Sequence, residues 1–308
     1  MAFIRRKKIR NTKGEWITYY SLVERVKTGA GQYRIKTLAS YGVEKPWLYQ
    51  PVFFEGNCLT FTSSIPDQCV DVVFTDPPYW ISSESRITAF HDPGRALVRD
   101  FGGWDHFKSL KDYRRFTRQW LGEADRVLKK GGNVLIFFNI NRFGDLTDFF
   151  ESRGYTIGQA FVWKKTNPTP SVRKRKFQDA CEYIFVAHKP GEARKFNYAH
   201  GLHHNLLETP VVSGYQRKRY GWHPAQKPLE LAAFLLNYFS YEHDVVLDLF
   251  AGKATIPLAA ARMKRQALGA EVNPYHARNA NQRIRDWMSR QKYTEWKPIV
   301  IKGFEAPS

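Results

Sequence analysis

Short apolar runs alternate with amphipathic helical stretches from residue 51 to residue 290. The apolar runs are typical of strands in a buried sheet and lie at residues 52–54, 70–75, 133–138, 155–164, 181–188, 245–250 and 267–272. The helical stretches lie at residues 110–128, 144–151, 228–238, 256–264 and 274–290. Because strands and helices alternate, we predict an α/β fold with a doubly wound, mostly parallel sheet and helices on both faces.

The apolar run at 70–75 ends on Asp76-Pro77-Pro78-Tyr79, which is unusual chemistry for the end of a buried strand. Two prolines remove two backbone donors and hold the chain in an extended turn. A plain surface turn would explain the prolines alone. Here a carboxylate, a rigid backbone and an aromatic ring leave the carboxyl end of a strand together, where open α/β sheets bind ligands. We therefore predict that these four residues lie in a ligand-binding site.

The apolar run at 245–250 leads into a turn that contains Gly252 and then into a helix start. Free N–H groups at a helix start bind polar groups of nucleotide cofactors. Glu271 lies 19 residues beyond Gly252 at the end of the next strand, where a carboxylate can accept hydrogen bonds from two ribose hydroxyls. There is no glycine-rich phosphate loop and no P-loop lysine. A nucleoside cofactor without a pyrophosphate is therefore favoured.

The net charge of +19 is unevenly distributed along the chain. Residues 1–50 carry 11 Lys/Arg against 3 Asp/Glu, and residues 164–227 carry 13 against 4. Such segregation favours a surface that binds nucleic-acid phosphates, with solvated loops as the alternative. The residues expected to contact these phosphates are Lys164, Lys165, Arg173, Lys174, Arg175, Lys176, Arg217, Lys218 and Arg219.

Two regions differ from the alternating pattern. Residues 1–50 begin with a basic arm, MAFIRRKKIRN, which is followed by predicted strands at 16–25 and 33–40. We predict that residues 1–50 form a small β module that adds DNA contacts, and that residues 51–308 form the main domain. Residues 189–222, with a basic and aromatic centre at 215–220, are expected to be a short insertion that reads the target sequence.

Six ordered segments, GNCLTF, DPPYW, FVWKKTNPTP, HPAQKP, DLFAGKAT and GAEVNP, resemble the motifs of the permuted, β-class S-adenosylmethionine-dependent DNA amino-methyltransferases. The resemblance covers about residues 51–290. Ribosomal and transfer-RNA guanine methyltransferases have a similar Pro-Pro-Tyr motif, but their cofactor loop comes first, whereas here it follows DPPYW. The resemblance implies a Rossmann-like methyltransferase fold with circularly permuted motif order and S-adenosylmethionine as the cofactor.

The resemblance also implies roles for individual residues. The catalytic set would be Asp76, Pro77, Pro78 and Tyr79. The cofactor-binding set would be Asn57, His223, Lys227, Asp248, Phe250, Gly252 and Glu271. Lys227 would meet the cofactor's carboxylate, and the side-chain oxygen of Asn57 would accept from its adenine amino group. One departure is Lys253-Ala254, where a Ser-Gly pair is common. This departure bears on cofactor affinity, because alanine removes backbone freedom at the turn.

An exocyclic amine of a base is a poor nucleophile, because its lone pair is delocalised into the ring. Asp76 and the Pro77 carbonyl would hold its two hydrogens, and Tyr79 would stack on the base after it leaves the duplex. The polar segment 82–103 would close over that base. The resemblance implies transfer to adenine N6 in a specific DNA sequence. The alternatives are cytosine N4 and, more distantly, a DNA-binding protein with a decayed catalytic domain.

The remaining expectations concern partners and location. The three cysteines have neither metal-ligand nor disulfide spacing, so we expect no metal site and a reducing compartment. No long apolar run and no signal-peptide pattern occur, which favours a cytoplasmic protein without a membrane segment. Double-stranded DNA is the expected partner, within a restriction-modification context. The sequence leaves a homodimer open.

Overall fold

The structure is a computed structural model of the 308-residue chain. It describes backbone and side chains at residues 51–79, 107–168, 177–199, 201, 203–212, 220 and 225–289. It describes the backbone alone at residues 2–10, 16–27, 33–43, 86–89, 92–98, 200 and 290. Within these residues, no helix is both long enough and apolar enough to cross a membrane.

Three strands near the N-terminus form an antiparallel sheet in the order β1-β2-β3. These strands are β1 (Ala2–Arg10), β2 (Trp16–Lys27) and β3 (Tyr33–Val43). The two predicted strands are confirmed, but the segment predicted to be a basic arm is a strand at Ala2–Arg10, where it pairs with β2. Backbone pairing with a neighbour overrides the high content of Lys and Arg, which is unfavourable for a strand only through its side chains.

The main sheet of the described chain has nine strands. They are β4 (Val52–Glu55), β5 (Val70–Thr75), β8 (Leu128–Phe138), β9 (Thr156–Ile157), β10 (Phe161–Lys165), β11 (Cys181–His188), β12 (Leu206–Thr209), β13 (Val245–Asp248) and β14 (Gln266–Glu271). Their order is β12-β10-β11-β8-β5-β13-β14-β4, with β9 beside β11. The neighbours in the run β8-β5-β13-β14-β4 all pair in parallel. β11 pairs antiparallel with both β8 and β10. The predicted mostly parallel sheet is confirmed. A separate hairpin joins β6 (Arg86–Ala89) to β7 (Asp92–Val98).

Helices cover both faces of the main sheet. They are α1 (Cys58–Thr62), α2 (Leu110–Val127), α3 (Phe143–Glu151), α4 (Leu229–Phe239), α5 (Thr255–Arg262) and α6 (Pro274–Arg290). On β5, Val73 packs into a core with α1, α2 and α3, whereas its neighbours Val72 and Phe74 pack into a second core with α4 and α5. Alternate residues of one strand thus enter opposite cores, which is the signature of a doubly wound sheet.

Several boundaries differ from the prediction. The strand predicted at 133–138 begins earlier, because α2 ends at Val127 and β8 begins at once at Leu128, so the glycines at 131–132 lie within the strand. Gly131 has a φ of +69° there, and the β5–β8 register shifts between Val70 and Val72. A local irregularity in a strand needs a residue that tolerates such a φ. The predicted strand at 155–164 is divided into β9 and β10.

A buried carboxylate ties three strands together at the amino end of the sheet. Asp71 on β5 accepts from Lys129 at 2.6 Å, from Lys195 at 2.7 Å and from the backbone N–H of Val245 at 2.9 Å. Lys195 also pairs with Asp244 at 3.0 Å. Burial favours a protonated Asp71, but the two lysines outweigh it and hold the pKa of this carboxyl below its ordinary value. The cluster therefore stabilises the fold while Asp71 is ionised.

We expect Asp71→Asn to lower the free energy of unfolding at pH 7 by about 2–3 kcal/mol. This is below the usual cost of breaking a fully buried pair, because both lysines are about one third exposed. Since the folded pKa of Asp71 is lowered, its contribution is present above the unfolded value of about 3.9 and is lost as the pH falls through the folded value. The difference between wild type and variant in urea titrations should therefore shrink below about pH 4.

The control is Glu242→Gln, which removes an exposed acid paired with Lys264. Exposed pairs contribute less than about 1 kcal/mol, so this variant should unfold close to wild type. Equal losses in the two variants would contradict a structural role for the Asp71 cluster.

Candidate active site

The two strands at the centre of the sheet create a crevice at their carboxyl ends. β5 and β13 are parallel neighbours, with Val72 opposite Val246. From β5 the chain continues to β8 on one side, and from β13 it continues to β14 on the other. Ligands of open α/β sheets bind at such a reversal of strand order. Asp76 follows β5 and Asp248 ends β13, so both carboxylates stand at this point.

Asp76 is held by two side-chain donors. The Tyr79 hydroxyl donates to its Oδ1 and the Lys227 ammonium to its Oδ2, each at 2.5 Å. Burial raises the pKa of Asp76, and Lys227 opposes that rise. The Tyr113 hydroxyl donates to the carbonyl of Pro78 at 3.2 Å and so fixes the proline turn from helix α2. The four predicted catalytic residues therefore form one rigid unit with the carboxylate directed into the crevice.

The ammonium of Lys227 lies between two carboxylates. It is 2.5 Å from Asp76 and 3.0 Å from Glu182, and it stands 4.7 Å from the centre of the Phe137 ring. Burial would lower the pKa of Lys227, but the two carboxylates raise it to about 12. Glu182 pairs further with Lys165 at 2.8 Å. Glu182 was not predicted as a site residue, because the sequence shows there only an acid at the start of an apolar strand.

Asp248 is buried in the turn that follows β13. Its Oδ1 accepts from the Thr75 hydroxyl at 2.8 Å and from the N–H of Phe250 at 3.1 Å, and the same hydroxyl accepts from the N–H of Leu249 at 3.1 Å. Burial raises the pKa of Asp248 to about 7, against the hydrogen bonds from Thr75 and Phe250. This carboxylate can therefore change charge near neutral pH, and it faces the same crevice as Asp76.

Glu271 at the end of β14 holds the first turn of the cofactor loop. Its Oε2 accepts from the N–H of Gly252 and its Oε1 from the N–H of Asn273, both at 2.8 Å. Burial raises the pKa of Glu271, and these backbone donors oppose the rise. Gly252 has a φ of +50°, a conformation that glycine adopts readily. The predicted proximity of Gly252 and Glu271 is present in the structure.

The unusual pair Lys253-Ala254 is accommodated by strain and by a buried arginine. Ala254 adopts the left-handed conformation, with φ +56° and ψ +39°, which costs a non-glycine residue about 1–2 kcal/mol. Arg283 on α6 donates to the Lys253 carbonyl at 3.1 Å and to the Thr255 hydroxyl at 2.9 Å. Arg283 was not predicted, because it lies in the last helix, 30 residues beyond the loop that it holds.

A small cavity joins the two halves of the site. It is lined by Asp76, Ala225, Gln226, Lys227, Asp248, Phe250, Ala251, Gly252, Lys253, Thr255 and Ile256. The Gln226 Oε1 is buried there and has no hydrogen-bond partner among the described residues, so it can accept from a bound ligand. The carboxylates of the site can pair with a cationic amine and accept hydrogen bonds from ribose hydroxyls, and the Lys227 ammonium can pair with a carboxylate. These donors and acceptors fit S-adenosylmethionine.

Other predicted residues are placed differently. Asn57 caps helix α1 through its Oδ1, which accepts from the N–H of Leu59 at 2.8 Å, and one lone pair remains for a cofactor amine. Lys164 pairs with exposed Glu208 at 3.0 Å. Lys165, predicted to face phosphate, is 14% exposed because it pairs with Glu182.

Several predictions fall outside the described residues. These are His223, Arg173, Lys174, Arg175, Lys176, Arg217, Lys218 and Arg219. Of the segment 82–103, expected to close over the base, only the backbone of β6 and β7 is described. In the part of the chain that the structure does cover, no group of three or more His, Cys, Asp or Glu side chains is arranged to hold a metal ion.

The doubly wound sheet, with the acid-Pro-Pro-Tyr turn beside the Gly252 loop at the reversal of strand order, has the architecture of an S-adenosylmethionine-dependent methyltransferase. Within that class, the family model described as "DNA methylase", for N6 and N4 methyltransferases, matches residues 70–282. The chain belongs to this family of DNA methyltransferases. The match includes both the catalytic turn and the cofactor loop, in the permuted order that the sequence indicates.

Known relatives agree with this assignment. The chain is 27% identical over 241 residues to Type II methyltransferase M2.DpnII of Streptococcus pneumoniae, covering 76% of this chain and 89% of the relative. It is 25% identical over 260 residues to Type II methyltransferase M2.MboI of Moraxella bovis, covering 82% and 90%.

Solved structures show the same fold. A DNA modification methylase from Thermus thermophilus, complexed with S-adenosyl-L-methionine, is 26% identical with a TM-score of 0.50 and covers 76% of this chain and 94% of its own. The PvuII DNA methyltransferase, which is cytosine-N4-specific, is 19% identical with a TM-score of 0.61 and covers 78% and 92%. The cofactor of this family is S-adenosylmethionine.

We expect cofactor affinity to rise with pH through the titration of Asp248. The cofactor carries sulfonium and ammonium charges, and Asp248 bears its negative charge only above a pKa of about 7. Between pH 6 and pH 8 the ionised fraction rises roughly tenfold, and the dissociation constant should fall by a similar factor. Isothermal titration calorimetry across this range measures the effect.

Asp248→Asn is the matched control, because its amide oxygen keeps the acceptor for Thr75 and Phe250. The cofactor's own titration is the same for both proteins, so the difference between them isolates Asp248. A pH dependence that is identical in wild type and variant would exclude Asp248 as the titrating group.

Proposed function

We propose that this protein transfers the methyl group of S-adenosylmethionine to N6 of adenine within a specific sequence of double-stranded DNA. The carrying observation is that Asp76, fixed by Tyr79 and Lys227, stands beside the cofactor cavity at the strand-order reversal. In the family that the sequence resembles, an acid before Pro-Pro-Tyr favours adenine. The relatives named Type II methyltransferases support a site-specific enzyme in a restriction-modification context.

The chemistry follows from the acceptors at the catalytic turn. Asp76 and the Pro77 carbonyl accept hydrogen bonds from the two amine hydrogens, which draws the nitrogen toward tetrahedral geometry and localises its lone pair. When bound, S-adenosylmethionine supplies an electrophilic methyl group. As that methyl group moved from sulfur to the amine nitrogen, one amine proton would pass to Asp76 or to solvent, and S-adenosylhomocysteine would be the second product. Tyr79 lies at this turn to stack on the extruded base.

The cofactor would be oriented by residues from both halves of the cavity. Glu271 would accept from the ribose hydroxyls, and Asp248 would pair with the cationic amine. The Gln226 oxygen would accept a further hydrogen bond from the cofactor, and the Phe250 ring would pack against the cofactor's apolar surface. In this role Phe250 is braced by Trp120, whose ring centre is 5.4 Å away.

Cytosine N4 is the second candidate. The catalytic turn holds the two hydrogens of a planar exocyclic amine, and both adenine and cytosine present such a group. One neighbouring solved structure is named cytosine-N4-specific, although at 19% identity it shows the fold alone. Analysis of the methylated nucleosides distinguishes adenine from cytosine as the target base.

DNA contacts would come from the basic segments. Residues 189–222 would read the target sequence, and the runs at 173–176 and 217–219 would bind phosphates together with the N-terminal strands. Phosphate contacts add affinity without sequence information, whereas base contacts specify the site. The N-terminal module would thus be an accessory DNA contact.

We expect Asp76→Ala to lower methyl transfer by at least about 10²-fold, the usual loss when a preorganised partner is removed. Cofactor binding should stay within a few-fold, because the acceptors for the cofactor remain. Plasmid DNA is incubated with protein and labelled S-adenosylmethionine, digested to nucleosides and analysed by mass spectrometry. The same measurement separates N6-methyldeoxyadenosine from N4-methyldeoxycytidine.

Asp145→Asn is the control, since this acid pairs with Arg114 on the surface of the helices. It should methylate DNA at the wild-type rate. An Asp76→Ala protein that keeps half of the wild-type activity would refute the proposed role of the catalytic turn, and label on neither base would refute the function.

We expect neutralisation of the N-terminal cations to weaken DNA binding without changing the methylated sequence. The variant replaces with glutamine the cations Arg5, Arg6, Lys7, Lys8 and Arg10. Each lost phosphate contact reduces the slope of log K against log salt by about 0.9. Fluorescence anisotropy over a salt series gives the slope, and sequencing of modified sites gives the specificity. A changed set of methylated sites would make this segment a specificity element instead.

A further inference from the structure

Four charged side chains form a continuous chain that ends on the catalytic carboxylate. Lys165 lies 2.8 Å from Glu182, Glu182 lies 3.0 Å from Lys227, and Lys227 lies 2.5 Å from Asp76. The two lysines and two acids alternate, so their formal charges cancel. Four different parts of the chain contribute: strand β10, the start of β11, the segment before α4, and the turn that follows β5.

The chain of charges is enclosed. The Lys227 side chain is 6% exposed, the Lys165 side chain 14%, and the Glu182 side chain 22%. The ammonium of Lys227 also faces the rings of Phe137 at 4.7 Å and Tyr79 at 5.8 Å. Burying charges costs free energy, and replacing such ions by apolar side chains is often neutral or stabilising. The fold therefore gains little stability from this arrangement, which points to a role in the reaction.

Glu182 does not belong to the lining of the cofactor cavity. Its ion pairs are with Lys165 and Lys227, and Lys227 donates to Asp76. The Lys227 ammonium also donates to the Ala225 carbonyl, at the longer distance of 3.3 Å. With Asp76 as its single anionic partner, the ammonium would be held less firmly, and the second anion at Glu182 restricts its position.

We propose that Glu182 is a positioning residue for methyl transfer, which holds the Lys227 ammonium against Asp76, and that Lys165 balances the charge of Glu182. This inference rests on the proposed function, since it assigns to Asp76 the acceptor role in the reaction. Neither Glu182 nor Lys165 belongs to the lining of the cofactor cavity.

The arrangement has an electrostatic consequence with a definite sign. The charged or titratable groups around Asp76 are Lys227 and Tyr79 in direct contact, Glu182 and Lys165 beyond Lys227, and Asp248 across the cavity. Removing the like charge of Glu182 favours an ionised Asp76 and lowers its pKa. Removing the cation of Lys165 leaves Glu182 uncompensated and raises the pKa of Asp76.

The test measures kcat against pH with saturating cofactor and DNA. At saturation, kcat depends only on groups in the complex. It is therefore independent of the titration of Asp248 in the free protein and of any weaker DNA binding caused by loss of Lys165. For Glu182→Gln, the acidic limb should move to lower pH by about one unit, and the plateau should fall about tenfold as Lys227 loses its fixed position. The KM for the cofactor should stay within twofold.

For Lys165→Gln, the acidic limb should move to higher pH. Glu208→Gln is the matched control, since Glu208 pairs with the neighbouring Lys164 on the exposed side of β10, and its acidic limb should coincide with that of wild type. A role in folding alone would lower activity in both variants without moving the limb in opposite directions. Circular dichroism and thermal unfolding identify a variant that does not fold, and Lys165→Gln then decides alone.

The inference is overturned if the limbs of both variants coincide with that of wild type, or if both move in the same direction. Failure of the proposed function gives a different pattern, namely an Asp76→Ala protein that remains active. An inactive Asp76→Ala protein with unshifted Glu182→Gln and Lys165→Gln profiles would retain the function and reject only the role of Glu182.

Discussion

The parallel pairing of β5 with β13 is the constraint on which the site depends. It is secured at the amino end by Asp71, which accepts from the backbone of Val245, and at the carboxyl end by the Thr75 hydroxyl, which donates to Asp248. Both bonds join residues 173 or 174 positions apart. From the carboxyl ends of these two strands the chain continues to opposite sides of the sheet, toward β8 and toward β14. A crevice therefore lies between the two connections, and Asp76 and Asp248 both line it.

The site concentrates features that a purely structural core would avoid. Burial raises the pKa of Asp76 and of Asp248. Ala254 adopts a strained left-handed conformation. Each feature costs free energy of folding, yet each places an acceptor or a backbone donor where a cationic cofactor and a base amine would bind. The compensating contacts come from elsewhere, notably from Lys227 at the catalytic turn and Arg283 at the cofactor loop.

Local patterns predicted most of the fold. The strands at 70–75 and 181–188 and the helix at 274–290 agree with the structure at both ends. The errors arise where pairing overrides local preference: the basic N-terminal arm is a strand, and the glycines at 131–132 lie within β8. Register and bulges depend on the neighbouring strand, which a single window of sequence does not contain.

The sequence by itself determined the strand–helix order, the acid-Pro-Pro-Tyr turn and the spacing of Gly252 from Glu271, because these depend on residues close together along the chain. Only the tertiary structure decided that Glu182 and Lys227 meet, that Lys165 is largely buried against Glu182, and that Arg283 holds the cofactor loop. Those contacts join separate strands and helices. They depend on which strand ends become neighbours when the sheet packs, and the periodicity of the individual segments carries no information about that.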